Sequence, residues 1–99
     1  MRITSFYKHM EGGIFKLLPL YEEQQEGLDV HLDVYMQDLW DELVGAQALF
    51  PELAENGEYI SILNTVHFLM TNECDFDTWR RRVLKMVRTL NELGGNYHV

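Results

Sequence analysis

Apolar residues recur at three- and four-residue intervals in four successive segments of this 99-residue chain. Such spacing places side chains on one face of an α-helix, whereas a half-buried strand needs strict alternation. The second segment shows it most clearly, with an apolar stripe formed by Leu28, Leu32, Tyr35, Met36, Leu39, Leu43 and Ala46. The pattern predicts an all-α fold in which each helix buries one face.

Glycine and proline residues separate these segments. Proline lacks a backbone N–H, and glycine readily adopts the backbone conformations that end a helix, so both mark helix boundaries. The sequence predicts about four helices: one from about Ser5 to Leu18 with a kink before Pro19, one after Asp29, one from about Tyr59, and one between Asp75 and Gly94.

The first segment also has a β interpretation. Two glycines inside a helix each cost about 1 kcal/mol, so "RITSFYKHM" and "IFKLLPLY" could form a hairpin around Gly12-Gly13. The helical spacing of Phe6, Met10 and Leu17 favours a helix. We expect the helix and keep the hairpin as the alternative.

Four residues have the spacing of signals that mark the start of a helix. Asp29 and Asp75 are expected to cap the second and last helices. Cys74 precedes Asp75, and Trp79 follows at the distance of a hydrophobic staple. These signals place the beginnings of both helices.

Chain length limits the fold to one domain. A chain of 99 residues buries only about 60 to 70% of its unfolded surface, which suits one core rather than two. Amphipathic helices with short connections predict a small antiparallel bundle spanning residues 1–99. The lone Cys74 cannot form an intramolecular disulfide, and the sequence shows neither a secretory signal nor a membrane span. We therefore expect a cytoplasmic protein.

No residue pattern indicates catalysis or metal binding. The histidines at 9, 31, 67 and 98 lack a second ligand one helical turn away. Carboxylate pairs such as Asp38 and Glu42 are typical of a solvated acidic face, and Gly12-Gly13 lacks the rest of a phosphate-binding loop. We predict a non-enzymatic protein with no catalytic residues, metal site or cofactor.

Charge is distributed unevenly along the chain. Sixteen acidic and eight basic residues give a net charge of −8, which opposes binding to nucleic acid or to anionic membranes. No Lys or Arg occurs between Leu17 and Trp79. The last segment holds five of the eight basic residues, namely Arg80, Arg81, Arg82, Lys85 and Arg88.

These opposite charges predict a protein–protein interface. The candidate residues are Val30, Asp33, Val34, Asp38, Asp41 and Glu42 in the second helix, and Arg81, Lys85 and Arg88 in the last. Complementary potentials favour association, and a second valine stripe, extended by Val44, adds apolar area. We expect the two helices to pair within the fold or across an interface, with a homodimer as the expected oligomer.

A protein-interaction module is the function that these features favour. The profile fits a small acidic regulator or inhibitor of the kind found among phage and mobile-element accessory proteins, including one whose carboxylates imitate nucleic-acid phosphates. One alternative is a nucleic-acid-binding regulator that uses Arg81, Lys85 and Arg88. Another alternative is a self-assembling structural protein.

Overall fold

The computed structural model describes residues 2–95, which form an all-α fold. The described chain contains α1 (Ile3–Phe15), α2 (Leu17–Gln25), α3 (Leu32–Leu49), a short 3-10 helix (Pro51–Ala54), α4 (Gly57–Thr71) and α5 (Phe76–Leu93). The predicted all-α fold is confirmed. The hairpin alternative is not supported, because both halves of the first segment are helical. His98 lies outside the described residues.

Four long helices form the sides of the bundle. Helix α1 packs against α3 and α5, and α4 packs against the same two helices from the other side. The remaining pairs, α1 with α4 and α3 with α5, lie diagonally, with no Cα atoms of either pair within 8 Å of each other. Helix α2 contacts α1, α3 and α5. This order in space determines which helix surfaces face outward.

A single hydrophobic core joins the helices. Every buried side chain in the described chain is hydrophobic, and residues such as Met10, Leu43, Val66 and Val83 come from different sides of the bundle. The predicted apolar stripe of the second segment is buried or half-buried except for Leu28, which is 55% exposed and precedes α3.

The predicted kink in the first segment lies at Lys16, slightly earlier than expected. Pro19 has no N–H to donate to the carbonyl of Phe15, and its ring clashes with a carbonyl four residues earlier in a continuous helix. Helix α1 therefore ends at Phe15, and Pro19 lies in the first turn of α2. A proline is well tolerated in that turn.

Helix α3 begins later than the sequence predicts. Its N-cap is His31 rather than Asp29, and His31 adopts a left-handed conformation with φ 49° and ψ 51°. The reason lies at the end of α2, where Gly27 has φ 89°. The N–H groups of Gly27 and Leu28 donate to carbonyls of the last turn of α2, both at 3.0 Å, in a Schellman motif. The chain must leave this motif before a new helix starts.

The last two helices begin at side-chain caps. Asn56 Oδ1 accepts a hydrogen bond of 3.0 Å from the N–H of Tyr59, and Asp75 Oδ1 accepts one of 2.9 Å from the N–H of Thr78. The bond from Thr78 lowers the pKa of Asp75, because it stabilises the ionised carboxylate. The prediction that Asp75 caps α5 is confirmed, and Gly94 is the C-cap as expected.

Candidate protein-interaction surfaces

The outward surface of α3 carries most of the predicted interaction residues. We define the acidic face as the exposed residues Asp33, Val34, Asp38, Asp41, Glu42 and Val44. The two valines are 54% and 41% exposed, whereas the opposite side of the same helix is buried in the core. An amphipathic helix normally presents only polar residues to water, so exposed valines among carboxylates are notable.

The fold does little to neutralise the acidic face. Asp41 Oδ1 accepts a hydrogen bond of 3.0 Å from Gln37 Nε2, and Glu42 Oε2 lies 3.0 Å from His9 Nε2 of α1. Within residues 2–95, no Lys or Arg nitrogen lies within 4.0 Å of a carboxylate oxygen on α3. The face therefore retains a concentrated negative potential.

Val30 lies apart from the acidic face. It belongs to the connection between α2 and α3 and packs partly against the core. The predicted second stripe therefore reduces on α3 to Val34 and Val44. A role for Val30 in an interface stays a prediction, and its substitution by Asp would also disturb the core.

The outward surface of α5 carries the predicted basic residues. Arg81, Lys85 and Arg88 are exposed, on the side of α5 opposite the buried residues. Leu84 lies among them, half-buried and without packing against the core. We define the basic face as Arg81, Leu84, Lys85 and Arg88. Sequence reasoning missed Leu84, although its position one helical turn before Arg88 signals that it belongs to this surface.

The other two arginines of α5 have different surroundings. The guanidinium carbon of Arg82 lies 4.1 Å from the centre of the Phe68 ring on α4, a cation–π contact that ties α5 to α4. Arg80 is exposed on the flank of the basic face. Arg82 therefore contributes to the fold, and Arg80 extends the positive surface.

The two faces do not meet within one molecule. Helices α3 and α5 lie diagonally across the bundle and do not pack against each other in the described chain. The acidic and basic faces therefore do not pair within one molecule, which was one of the two predicted arrangements. Pairing across an interface stays a prediction.

A groove of about 950 Å³ lies beside the acidic face. It is formed by α2, the first half of α3, the end of α4 and the segment before α5. Side chains of Leu32, Met36, Leu69 and Trp79 line it, while Asp33 and Glu73 supply its negative charge. No Lys or Arg among residues 2–95 lines it. The groove thus combines apolar surface with carboxylates.

Cys74 lines this groove next to Tyr21, whose hydroxyl donates a 2.8 Å hydrogen bond to the Cys74 carbonyl. Burial raises the pKa of the Cys74 thiol, and Asp75 raises it further, while Arg82 opposes the shift. A raised pKa reduces the thiolate fraction at neutral pH, which disfavours a nucleophilic role. Cys74 also packs partly against the core, and its staple contact with Trp79 stays a prediction.

The described histidines lie at separate places. His9 contacts Glu42, His31 lies 3.4 Å from Asp29, and the His67 ring centre lies 5.9 Å from that of Trp40. Among residues 2–95, no group of three or more His, Cys, Asp or Glu side chains is arranged to hold a metal ion.

The sequence matches no protein-family model, no curated protein and no solved structure. In the described part of the chain, every helix is too short or too polar to cross a bilayer.

Proposed function

We propose that this protein is a non-enzymatic interaction module whose acidic face binds a basic surface on a partner protein. The observation that carries the proposal is the set of carboxylates around Val34 and Val44, none of which pairs with a Lys or Arg within residues 2–95. Complementary charge speeds association and disfavours wrong partners. The valines add apolar contact area, which ion pairs alone do not provide.

The groove extends the same surface, because Asp33 and Val34 belong to both. A partner side chain that passes Asp33 meets the exposed Val34 and the half-buried Met70. The carboxylate of Glu73 on the other side of the groove favours a Lys or Arg beside that apolar group. The preferred partner segment is therefore both cationic and apolar.

A regulatory or inhibitory role in the cytoplasm fits such a module. Its bundle is small, its net charge is −8, and its one cysteine is a free thiol suited to a reducing compartment. A protein with a basic groove, such as one that acts on nucleic acid, offers the complementary surface. The carboxylates of α3 would then occupy positions that phosphates otherwise take.

Capture from nuclease-treated source lysate tests this proposal with two charge-matched variants. Asp38→Asn with Asp41→Asn removes two charges from the acidic face, and Glu52→Gln with Glu55→Gln removes two exposed charges on or beside the 3-10 helix. Wild type and the second variant should retain the same protein, and the first should lose about tenfold in affinity, since rim charges contribute about 0.2 to 1 kcal/mol each. Equal retention by wild type and both variants would contradict the proposal.

A second candidate function uses the basic face to bind nucleic acid. It is favoured by one observation, the alignment of Arg81, Lys85 and Arg88 on the exposed side of a single helix. Capture without nuclease treatment distinguishes it. Nucleic acid that is retained by wild type and lost from a variant with all three residues replaced by Glu would favour this candidate over the first.

A further inference from the structure

The acidic and basic faces are opposite in charge and lie on helices of equal length. Helices α3 and α5 each contain 18 residues, about 27 Å at the usual helical rise. The first carries no Lys or Arg, and the second presents three cations around Leu84. The acidic face thus surrounds two exposed valines with negative charge, and the basic face surrounds the half-buried Leu84 with positive charge.

The acids of α5 leave the middle of the basic face cationic. Asp77 lies toward its beginning and Glu92 toward its end, while Arg81, Lys85 and Arg88 lie between. Arg80 adds a further positive charge on the flank. A negative helix surface laid along α5 would therefore meet mainly cations.

The diagonal arrangement determines how two copies could pair these faces. Because α3 and α5 occupy opposite corners of the bundle, their outward faces point in opposite directions. A two-fold dimer through either helix would set carboxylates against carboxylates or cations against cations, which is repulsive. Only a head-to-tail contact brings opposite charges together.

We propose that the occupant of the acidic face is the basic face of a second copy of this chain. The inference rests on the proposed function, since it takes the acidic face to be a protein-binding surface, and it names the partner. Each docked pair still presents one free acidic face and one free basic face. Association therefore continues to longer chains or closes into a ring, unlike the closed homodimer that the sequence suggested.

Light scattering combined with size-exclusion chromatography, at about 0.1 M salt where the Debye length is about 10 Å, tests this geometry. The average mass of wild type should rise with concentration past twice the 11.7 kDa chain mass. At concentrations where wild type first assembles, the acidic-face variant (Asp38→Asn, Asp41→Asn) and a basic-face variant (Arg81→Gln, Lys85→Gln) should each remain monomeric, because each binds about tenfold more weakly. The control variant (Glu52→Gln, Glu55→Gln) should assemble like wild type.

The decisive sample is an equimolar mixture of the two monomeric variants. Each retains the face that the other has lost, so the mixture should form a complex of two chains that cannot grow further. The replacements are neutral because charge reversal would make both faces of one variant basic and both faces of the other acidic. The mixed variants could then bind through both faces and grow beyond two chains. Formation of this complex also shows that both variants are folded.

Three results would overturn head-to-tail association: wild type that stays monomeric up to about 1 mM, variants that assemble like wild type, or a mixture that forms no complex. These results are separable from failure of the proposed function. A monomeric wild type that still captures a foreign protein through the acidic face would remove only the second copy as partner.

Discussion

At the scale of single residues, buried tyrosine and tryptophan side chains fix the helices relative to one another. The hydroxyl of Tyr59 on α4 donates to the carbonyl of Leu43 on α3, and Trp79 Nε1 donates to the carbonyl of Leu17 at 2.9 Å. Both side chains are buried. Because buried polar groups are costly without partners, each bond favours one packing arrangement over others.

Tyr59 should make stability depend on pH in the alkaline range. Burial, followed by the nearby Tyr7, raises the pKa of Tyr59 above its ordinary value of 10.0. Above about pH 10, Tyr59 therefore stays protonated in the folded state, whereas it is ionised in the unfolded state. The free energy of unfolding should be steady below about pH 10 and fall above it.

Urea unfolding of wild type and Tyr59→Phe between pH 8 and pH 11 measures this dependence. The variant should lose about 1 kcal/mol near pH 8, since it lacks the hydrogen bond to Leu43. Its stability should then decline less steeply than that of wild type above pH 10. Parallel curves at all pH values would contradict a role for Tyr59 ionisation.

At the scale of helices and turns, the periodicity of apolar residues predicted where helices occur better than where they begin. The spacing is a local property, and all four predicted helical segments are helical. The predicted start of α3 at Asp29 was wrong. The Schellman motif at Gly27 uses the Leu28 N–H, and Val30 packs against the core, so the helix begins only after these residues. Both facts depend on how α2 ends and on what packs around the connection.

Two glycine substitutions should change stability in opposite directions. Gly27 has φ 89°, a conformation that side chains with a Cβ adopt at a cost, so Gly27→Ala should destabilise the fold by about 1 kcal/mol. Gly12 lies inside α1, and an alanine Cβ at this position would meet no atom within 4 Å, so Gly12→Ala should stabilise by up to about 1 kcal/mol. Thermal unfolding measures both, and a shift of the same sign in the two variants would contradict these assignments.

At the scale of the whole molecule, charge patterning in the sequence located the acidic and basic residues but not how the fold separates them. Acidic and basic residues were evident from charge alone, as was their placement on two different helices. Which helices become neighbours depends on contacts between residues far apart in sequence, such as those between α1 and α5. Periodicity carries no information on that order, so pairing within the fold and pairing across an interface both remained open.

Contact between the acidic face of α3 and another protein can be tested by photo-crosslinking. A photoreactive amino acid is placed at Val34, with the same substitution at Glu52 as the control at another exposed site. After irradiation in source lysate, the probe at position 34 should give a discrete protein adduct, and the probe at position 52 should not. The adduct mass distinguishes a second copy from a foreign protein. Equal yields at the two positions, or no adduct at position 34, would contradict such contact.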